Sequence, residues 1–342
     1  MSVAFSDGET PGEAQWIKDR MLLLGLTENE RRRMFELDCR AVAVEPIVTE
    51  LEANAARANR HLTIRRIIFY DALTMANQDQ YSLDEHLSAD RLAKTLKLTE
   101  EEVDTIEAIC DKERLTRNRK IDLFDVFDPE AEGGSSFTQN GPITGFTGNA
   151  SAGCDGGILS NALSQCLVSQ DSHEAYKDSD VASRPRRHAL NRLTYGTAVP
   201  LVAQRNATYI DALLFVAGGE GHVSESEQAW LRDRCTVQQL SSDRFAKFFD
   251  AIDKDGNVTK HAACPSQSDL PESVAIAVLY DAVTLACVDA CELTDAKKAN
   301  AHQIAVKLGL ESDFCDEIID IVQVETSLQS EKLSLFGRRD PS

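Results

Sequence analysis

Two stretches of this chain, about 210 residues apart, are copies of one another. Tyr70-Asp71-Ala72-Leu73-Thr74-Met75-Ala76-Asn77-Gln78-Asp79 leads into Leu83, and Tyr280-Asp281-Ala282-Val283-Thr284-Leu285-Ala286-Cys287-Val288-Asp289 leads into Leu293. After a small insertion the register continues, with Leu92 to Leu98 matching Ile304 to Leu310. Farther on, Ile121, Leu123 and Phe124 match Leu333, Leu335 and Phe336. A repeat of this length means one fold used twice, so function is to be sought at positions that both copies share.

A second pair of segments precedes these. Glu13-Ala14-Gln15-Trp16-Ile17-Lys18-Asp19-Arg20 is nearly Glu227-Gln228-Ala229-Trp230-Leu231-Arg232-Asp233-Arg234. Each of the repeated segments borders an acidic loop: residues 6–10, 77–82, 219–224 and 287–292. Each half thus holds two acidic loops, both at helix starts.

Helical periodicity dominates and strand signals are sparse. Ile64, Ile67, Ile68, Leu73 and Met75 give an apolar face wide enough for a mostly buried helix, repeated by Val274, Ala277, Val278, Val283 and Leu285. Amphipathic helices follow over Leu83 to Leu98, Glu100 to about Lys112, and Arg114 to Phe124. Tyr209 to Ala217 is apolar on nearly all sides, which predicts a helix at the centre of its domain. The fold class is therefore all-α, with helical domains over 1–127 and 200–337.

In the first copy the central helix lacks most of its length, because Val3-Ala4 aligns with Val216-Ala217. Either that helix is replaced or the sequence begins inside it, and the second reading is the simpler. It predicts a less stable first domain with an exposed apolar groove or an intermolecular contact. Residues 128–199 are rich in Gly, Ser, Asn and Thr and bury too little apolar surface to offset chain entropy, which reads as a flexible linker. Within it only Ile158 to Val168 has the pattern of a short helix.

Three of the acidic loops end in a capping box: Thr10-x-x-Glu13, Ser82-x-x-Glu85 and Ser224-x-x-Glu227. In such a box the hydroxyl accepts an orphan helix amide and the Glu reaches back to the cap's own amide. The fourth, Glu292-x-x-Asp295, is degenerate. Capping accounts for the glutamates but not for the acids that precede the caps. Asp7-Gly8 and Glu220-Gly221 set a carboxylate beside a glycine able to adopt a left-handed backbone, as calcium-binding loops do. One loop supplies too few oxygens for calcium, whereas two facing loops pool theirs: Asp7 with Asp79, and Glu220 with Asp289. The helix dipole favours the same carboxylates without an ion.

An apolar helix ending Val-Ala or Met-Ala, then an acidic loop and a helix with an early Glu, used twice per domain, resembles the TerB-like family of tellurite-resistance and co-chaperone domains. The resemblance covers residues 7–124 and 206–336. It implies two tandem helical bundles, divalent-cation binding with calcium the first candidate, and a non-enzymatic role in stress response. By position, the implied metal-site residues are Asp7, Glu13, Asp79, Glu85, Glu220, Glu227, Asp289 and Asp295. The chain departs from the pattern at Gln80 and Ala290, where glycine is usual, at Glu220 in place of Asp, and at Cys291.

Charge narrows the partners. Lys+Arg 36 against Asp+Glu 56 gives a net charge of -20, which repels phosphate backbones and excludes nucleic acid. Cations, basic protein segments or simple solubility account for such a surface, and the rival to ion binding is a metal-free protein-interaction scaffold. Nine scattered cysteines without zinc spacing read as reduced thiols, consistent with a cytoplasmic protein. No apolar run approaches the roughly 20 residues needed to span a bilayer. Asp253-Lys254-Asp255-Gly256-Asn257 has the look of an EF-hand loop but places Ala251 and Ala262 at its first and last ligand positions. Hydrolase, dinucleotide and phosphate-loop motifs are absent, so no catalytic residue and no cofactor beyond the cation is expected.

Overall fold

A computed structural model describes residues 10–23, 26–36, 44–57, 63–78, 81–125, 194, 207–238, 249–253, 255–258, 270–290 and 292–337. The linker outside Thr194, including Ile158 to Val168, lies outside the described residues. Among the described residues the structure is all-α, with no strand; its two β-bridges, His222 with Asn257 and Ile252 with Val258, are isolated.

The chain forms two compact units. Unit 1 draws on Met1–Ile121, Thr138–Thr197 and Leu328–Ser342, and unit 2 on Asp122–Phe137 and Ala198–Ser327. The helices in chain order are α1 (Pro11–Leu23), α2 (Glu28–Glu36), α3 (Val44–Arg57), α4 (Ile64–Ala76), α5 (Leu83–Thr95) and α6 (Glu100–Asp125). They continue with α7 (Ala207–Ala217), α8 (Glu225–Gln238), α9 (Glu272–Ala286), α10 (Asp295–Lys307) and α11 (Ser312–Phe336). The repeat thus pairs α1 with α8, α4 with α9, α5 with α10 and α6 with α11.

Two helices expected over Glu100 to Lys112 and Arg114 to Phe124 are one, α6. No Gly or Pro interrupts that stretch, so nothing frees the backbone from the i to i−4 ladder. The join is held by Glu113 itself, which is buried and accepts from Tyr70 at 2.6 Å. The helix opening with Leu83 ends at Thr95, before Leu98.

In unit 1 the centre is α4, whose Ile67, Phe69, Tyr70, Leu73 and Met75 are buried. Trp16 and Ile17 of α1, Ala89 and Leu92 of α5, and Ile106 and Ile109 of α6 complete this core. Residues from the last turns of α11 belong to it too. Phe336 meets the Tyr70 ring edge-on at 5.3 Å, its carbonyl accepts from Thr63 N at 3.0 Å, and the Leu335 carbonyl accepts from Arg66 at 2.7 Å. Lys332 is buried and donates to Glu113 and to Tyr70 Oη. Tyr70, Glu113 and Lys332 therefore satisfy one another's polar atoms inside the core, which burial requires.

Unit 2 is built on α7 and α9. Tyr209, Ile210, Leu213, Leu214 and Val216 of α7 are buried, as the apolar composition of this segment predicts. Helix α9 is buried along nearly its whole length, from Val274 to Ala286. Phe124 meets the Tyr280 ring edge-on at 6.1 Å, the counterpart of Phe336 on Tyr70. The two central helices differ in burial. Ile64, Ile68 and Asp71 are half-buried, whereas Val274, Val278 and Asp281 at the matching positions of α9 are buried.

Candidate functional site

Asp7 and Asp79 lie outside the described residues, as does Cys291. The other six candidates fall into two groups. Glu13, Glu85 and Glu227 are buried, and Glu220, Asp289 and Asp295 are exposed.

All three buried glutamates sit in capping boxes. Glu13 Oε2 accepts from the Thr10 amide at 2.9 Å and from its hydroxyl at 3.0 Å. Glu85 Oε2 accepts from the Ser82 amide at 2.8 Å, and the Ser82 hydroxyl accepts from the Glu85 amide. Glu227 Oε2 accepts from the Ser224 amide at 2.8 Å, with the reciprocal bond at 3.0 Å. The same box closes helices with no repeated acidic loop, at Thr27 with Glu30 and at Thr99 with Glu102. One oxygen of each glutamate is thereby committed to the backbone.

The fourth box does not form at Glu292 and Asp295. The cap is Thr294, whose hydroxyl accepts from the Lys297 amide at 3.4 Å, and Asp295 is the first residue of α10, exposed to solvent. A threonine directly before the helix competes better for the cap than a glutamate two residues earlier, because its short side chain reaches the orphan amide. This shift sets the register: Ser82 corresponds to Thr294, and Glu85 to Lys297.

That correspondence exposes the main difference between the units. Lys297 Nζ donates to Glu227 Oε1 at 2.8 Å and to the Ala286 carbonyl at 3.4 Å, deep beside the acidic loops. Burial pushes the Glu227 carboxyl up, the bonds from Lys297 and the Ser224 amide pull it down, and Asp289 pushes it up again, for a net rise. An ammonium thus sits among the carboxylates of unit 2. At the corresponding positions unit 1 has two buried carboxylates, Glu13 and Glu85.

The loops themselves are tightly seated in unit 2. Glu220 ends a 3₁₀ turn, Gly218–Glu220, that is closed by Gly221 at φ 81°. A Cβ on Gly219 would stand 3.2 Å from the Lys297 amide nitrogen, so the turn lies against the start of α10. The Asp253–Asn257 loop packs on the other side: Val223 N donates to the Gly256 carbonyl and Val258 N to the Gly221 carbonyl, each at 2.8 Å. The Asp253 carboxylate accepts from the amides of Asp255 and Asn257 at 2.9 Å and from the Asn257 side chain. It pins its own loop, the role of an Asx turn rather than of a calcium ligand.

A second shared feature joins the loop-bearing helices to the cores. Arg234 of α8 pairs with Asp281 of α9 at 2.9 Å, and Arg20 of α1 pairs with Asp71 of α4 at 3.3 Å. Each arginine also lies near a tryptophan ring, at 5.7 Å from Trp230 and 5.6 Å from Trp16. In unit 2 the Tyr209 hydroxyl adds a bond to Asp281 at 2.7 Å. These four positions stand in both copies of the repeat and the sequence reading passed over them; Arg and Asp at matched places were the available signal.

Among the described residues no group of three or more His, Cys, Asp or Glu side chains is placed to hold a metal ion. No helix among them is long and apolar enough to cross a membrane. Comparison with protein-family models, with curated proteins and with solved structures returns no match.

Proposed function

We propose that this chain is a non-enzymatic, cytoplasmic helical module of the TerB-like type, two tandem copies of one fold, in which the acidic loops of the first copy take up a divalent cation. The observation that carries this reading is the Glu227–Lys297 pair. Unit 2 supplies its own positive charge where its buried carboxylate needs one. Unit 1 has Glu85 at the position of that lysine and Glu13 at that of Glu227, both buried, so two carboxylates stand where unit 2 has a carboxylate and an ammonium. Glu13 and Glu85, with Asp7 and Asp79 from the loops, are the ligands proposed; calcium suits an all-oxygen set. In unit 2 the residues fit an ion poorly, because both Glu227 oxygens are already bonded. Ion uptake by unit 1 would brace the starts of α1 and α5, the property on which a stress-linked role in protein assembly would rest.

The test is calorimetric titration of the full chain with calcium, then magnesium and zinc, with Glu85→Gln and Glu220→Gln alongside. Glutamine preserves the capping box, so folding is kept. Saturable heat that Glu85→Gln abolishes and Glu220→Gln leaves intact is the expected result. No heat with any ion would reduce the buried glutamates to caps and leave the metal-free scaffold as the reading.

A further inference from the structure

The outer face of α5 carries an exposed apolar pair beside His86, which meets the Tyr81 ring edge-on at 4.9 Å. Leu83 and Leu87, one turn apart, are 76% and 47% exposed, and His86 and Asp90 share their stripe. Residues at this spacing are neighbours on a helix surface. Acids on α6 border the stripe: burial and the negative charges of Asp104, Asp90 and Asp111 push the Glu107 carboxyl up, against the pull of His86. Of these acids Asp111 is paired, with Arg114 at 3.1 Å, while no salt bridge to Asp90, Asp104 or Glu107 is found among the described residues.

The second copy of the fold serves as an internal control. In the register set by Ser82 and Thr294, the positions of Leu83, His86, Leu87 and Asp90 are taken in α10 by Asp295, Lys298, Ala299 and His302. Helix α10 has the same length as α5, 13 residues. Its face is engaged by α11, with Lys298 and His302 3.6 Å and 3.3 Å from Asp316. The second copy therefore has an aspartate and an alanine in place of the leucines, so the helix itself does not require the apolar pair.

We infer that the α5 face of unit 1, centred on Leu83 and Leu87 and flanked by Asp90, Asp104 and Glu107, docks a basic amphipathic helical segment of another protein. Such a segment sets two leucine-sized side chains against Leu83 and Leu87 and its lysines or arginines against the acids. Charge complementarity selects this occupant. A second copy of the chain would bring its own net charge of -20 to an acidic surface, whereas a basic segment is steered to it.

The test uses the full chain and a fluorescent synthetic helix of about 18 residues, five turns, with leucine on one face and lysine on the other. Two control peptides replace lysine by glutamate or leucine by serine. The protein variant is Leu83→Asp with Leu87→Ala, which imports the residues of α10 and is monitored for folding by circular dichroism. Its added carboxylate stands at the first position of α5, where the helix dipole favours it. That extra negative charge can only strengthen the attraction for a basic peptide, so lost affinity reports on the leucines. The leucine–lysine peptide should bind the wild type, weaken in high salt, and lose at least about ten-fold in affinity on the variant; neither control peptide should bind. Failure of the leucine–lysine peptide to bind, equal binding to the variant, or equal binding of either control would overturn the inference. So would sedimentation showing a dimer that the variant turns into a monomer, since a second copy would then own the face.

Discussion

Lys297 Nζ stands 2.8 Å from Glu227 Oε1 with the two side chains 11% and 1% exposed. A pair so far from water gains little over an apolar pair of the same shape, yet losing one partner strands a charge. Lys297→Met should therefore cost about 3–5 kcal/mol in chemical denaturation. Adding Glu227→Gln to it should recover more than half of that loss. Equal stability of the single and double variants would mean that the two side chains act independently.

The Arg–Asp pairs of the two units should differ in worth. The Asp281 side chain is 1% exposed and also receives the Tyr209 hydroxyl, whereas Asp71 is 34% exposed. Asp281→Ala removes a fully buried carboxylate that holds both Arg234 and the Tyr209 hydroxyl and should cost about 3–5 kcal/mol. Asp71→Ala should cost about 1 kcal/mol, because solvent screens its pair with Arg20. Denaturant unfolding of both variants measures the gap, and similar losses would contradict the difference in burial.

Gly256 has φ 83°, and a Cβ there would lie 2.4 Å from the Val223 carbonyl oxygen. Gly309 has φ 79° with nothing within 4 Å. Gly309→Ala should then carry only the left-handed backbone cost of about 1–2 kcal/mol. Gly256→Ala adds a clash with fixed backbone and should cost more than about 3 kcal/mol. Thermal unfolding of the two variants decides, and a tolerated Gly256→Ala would show that the bridge between residues 221–223 and 256–258 is dispensable.

Acid should weaken unit 1 below pH 4.5. Hydrogen bonds from Arg65 and Lys97 hold the Glu45 carboxyl below its ordinary value of 4.5. Burial raises that of Glu102, but bonds from the Thr99 amide and Arg66 outweigh it and leave the carboxyl lowered. A lowered carboxyl gives stability that is present above its unfolded value and lost as pH falls through the folded one. The melting temperature should thus drop as pH falls below 4.5, and by less in Glu102→Gln. Glu107 has the opposite sign: its carboxyl is raised, so Glu107→Gln should stabilise the protein at neutral pH.

The repeated helices were legible because their signal is local, whereas α2 and α3, which stand outside the repeat, were not read. Apolar spacing in Ile64 to Met75, and the Ser or Thr followed by Glu three residues on, state both helix and start within a dozen residues. The join of α6 at Glu113 was not legible, since a run of charged residues looks like a boundary until Tyr70 and Lys332 are seen to neutralise Glu113 from sites remote in sequence. Lys297 was hidden for a related reason. Aligning on Leu83 and Leu293 places the cap two residues early, and the insertion that corrects it lies inside the loop. Arg20, Asp71, Arg234 and Asp281 stood in the matched segments, but nothing in one dimension distinguishes a buried pair from solvated charges.

Unit 1 contains Lys332 and Phe336, which pack on Tyr70, Glu113 and Thr63. A ribosome emits Tyr70 and Glu113 more than two hundred residues before the lysine that neutralises them. Unit 1 consequently begins before unit 2 and is completed after it, and until the final turns of α11 emerge its core lacks Lys332. Domains that are continuous in sequence fold as they are synthesised; this one must wait for α11.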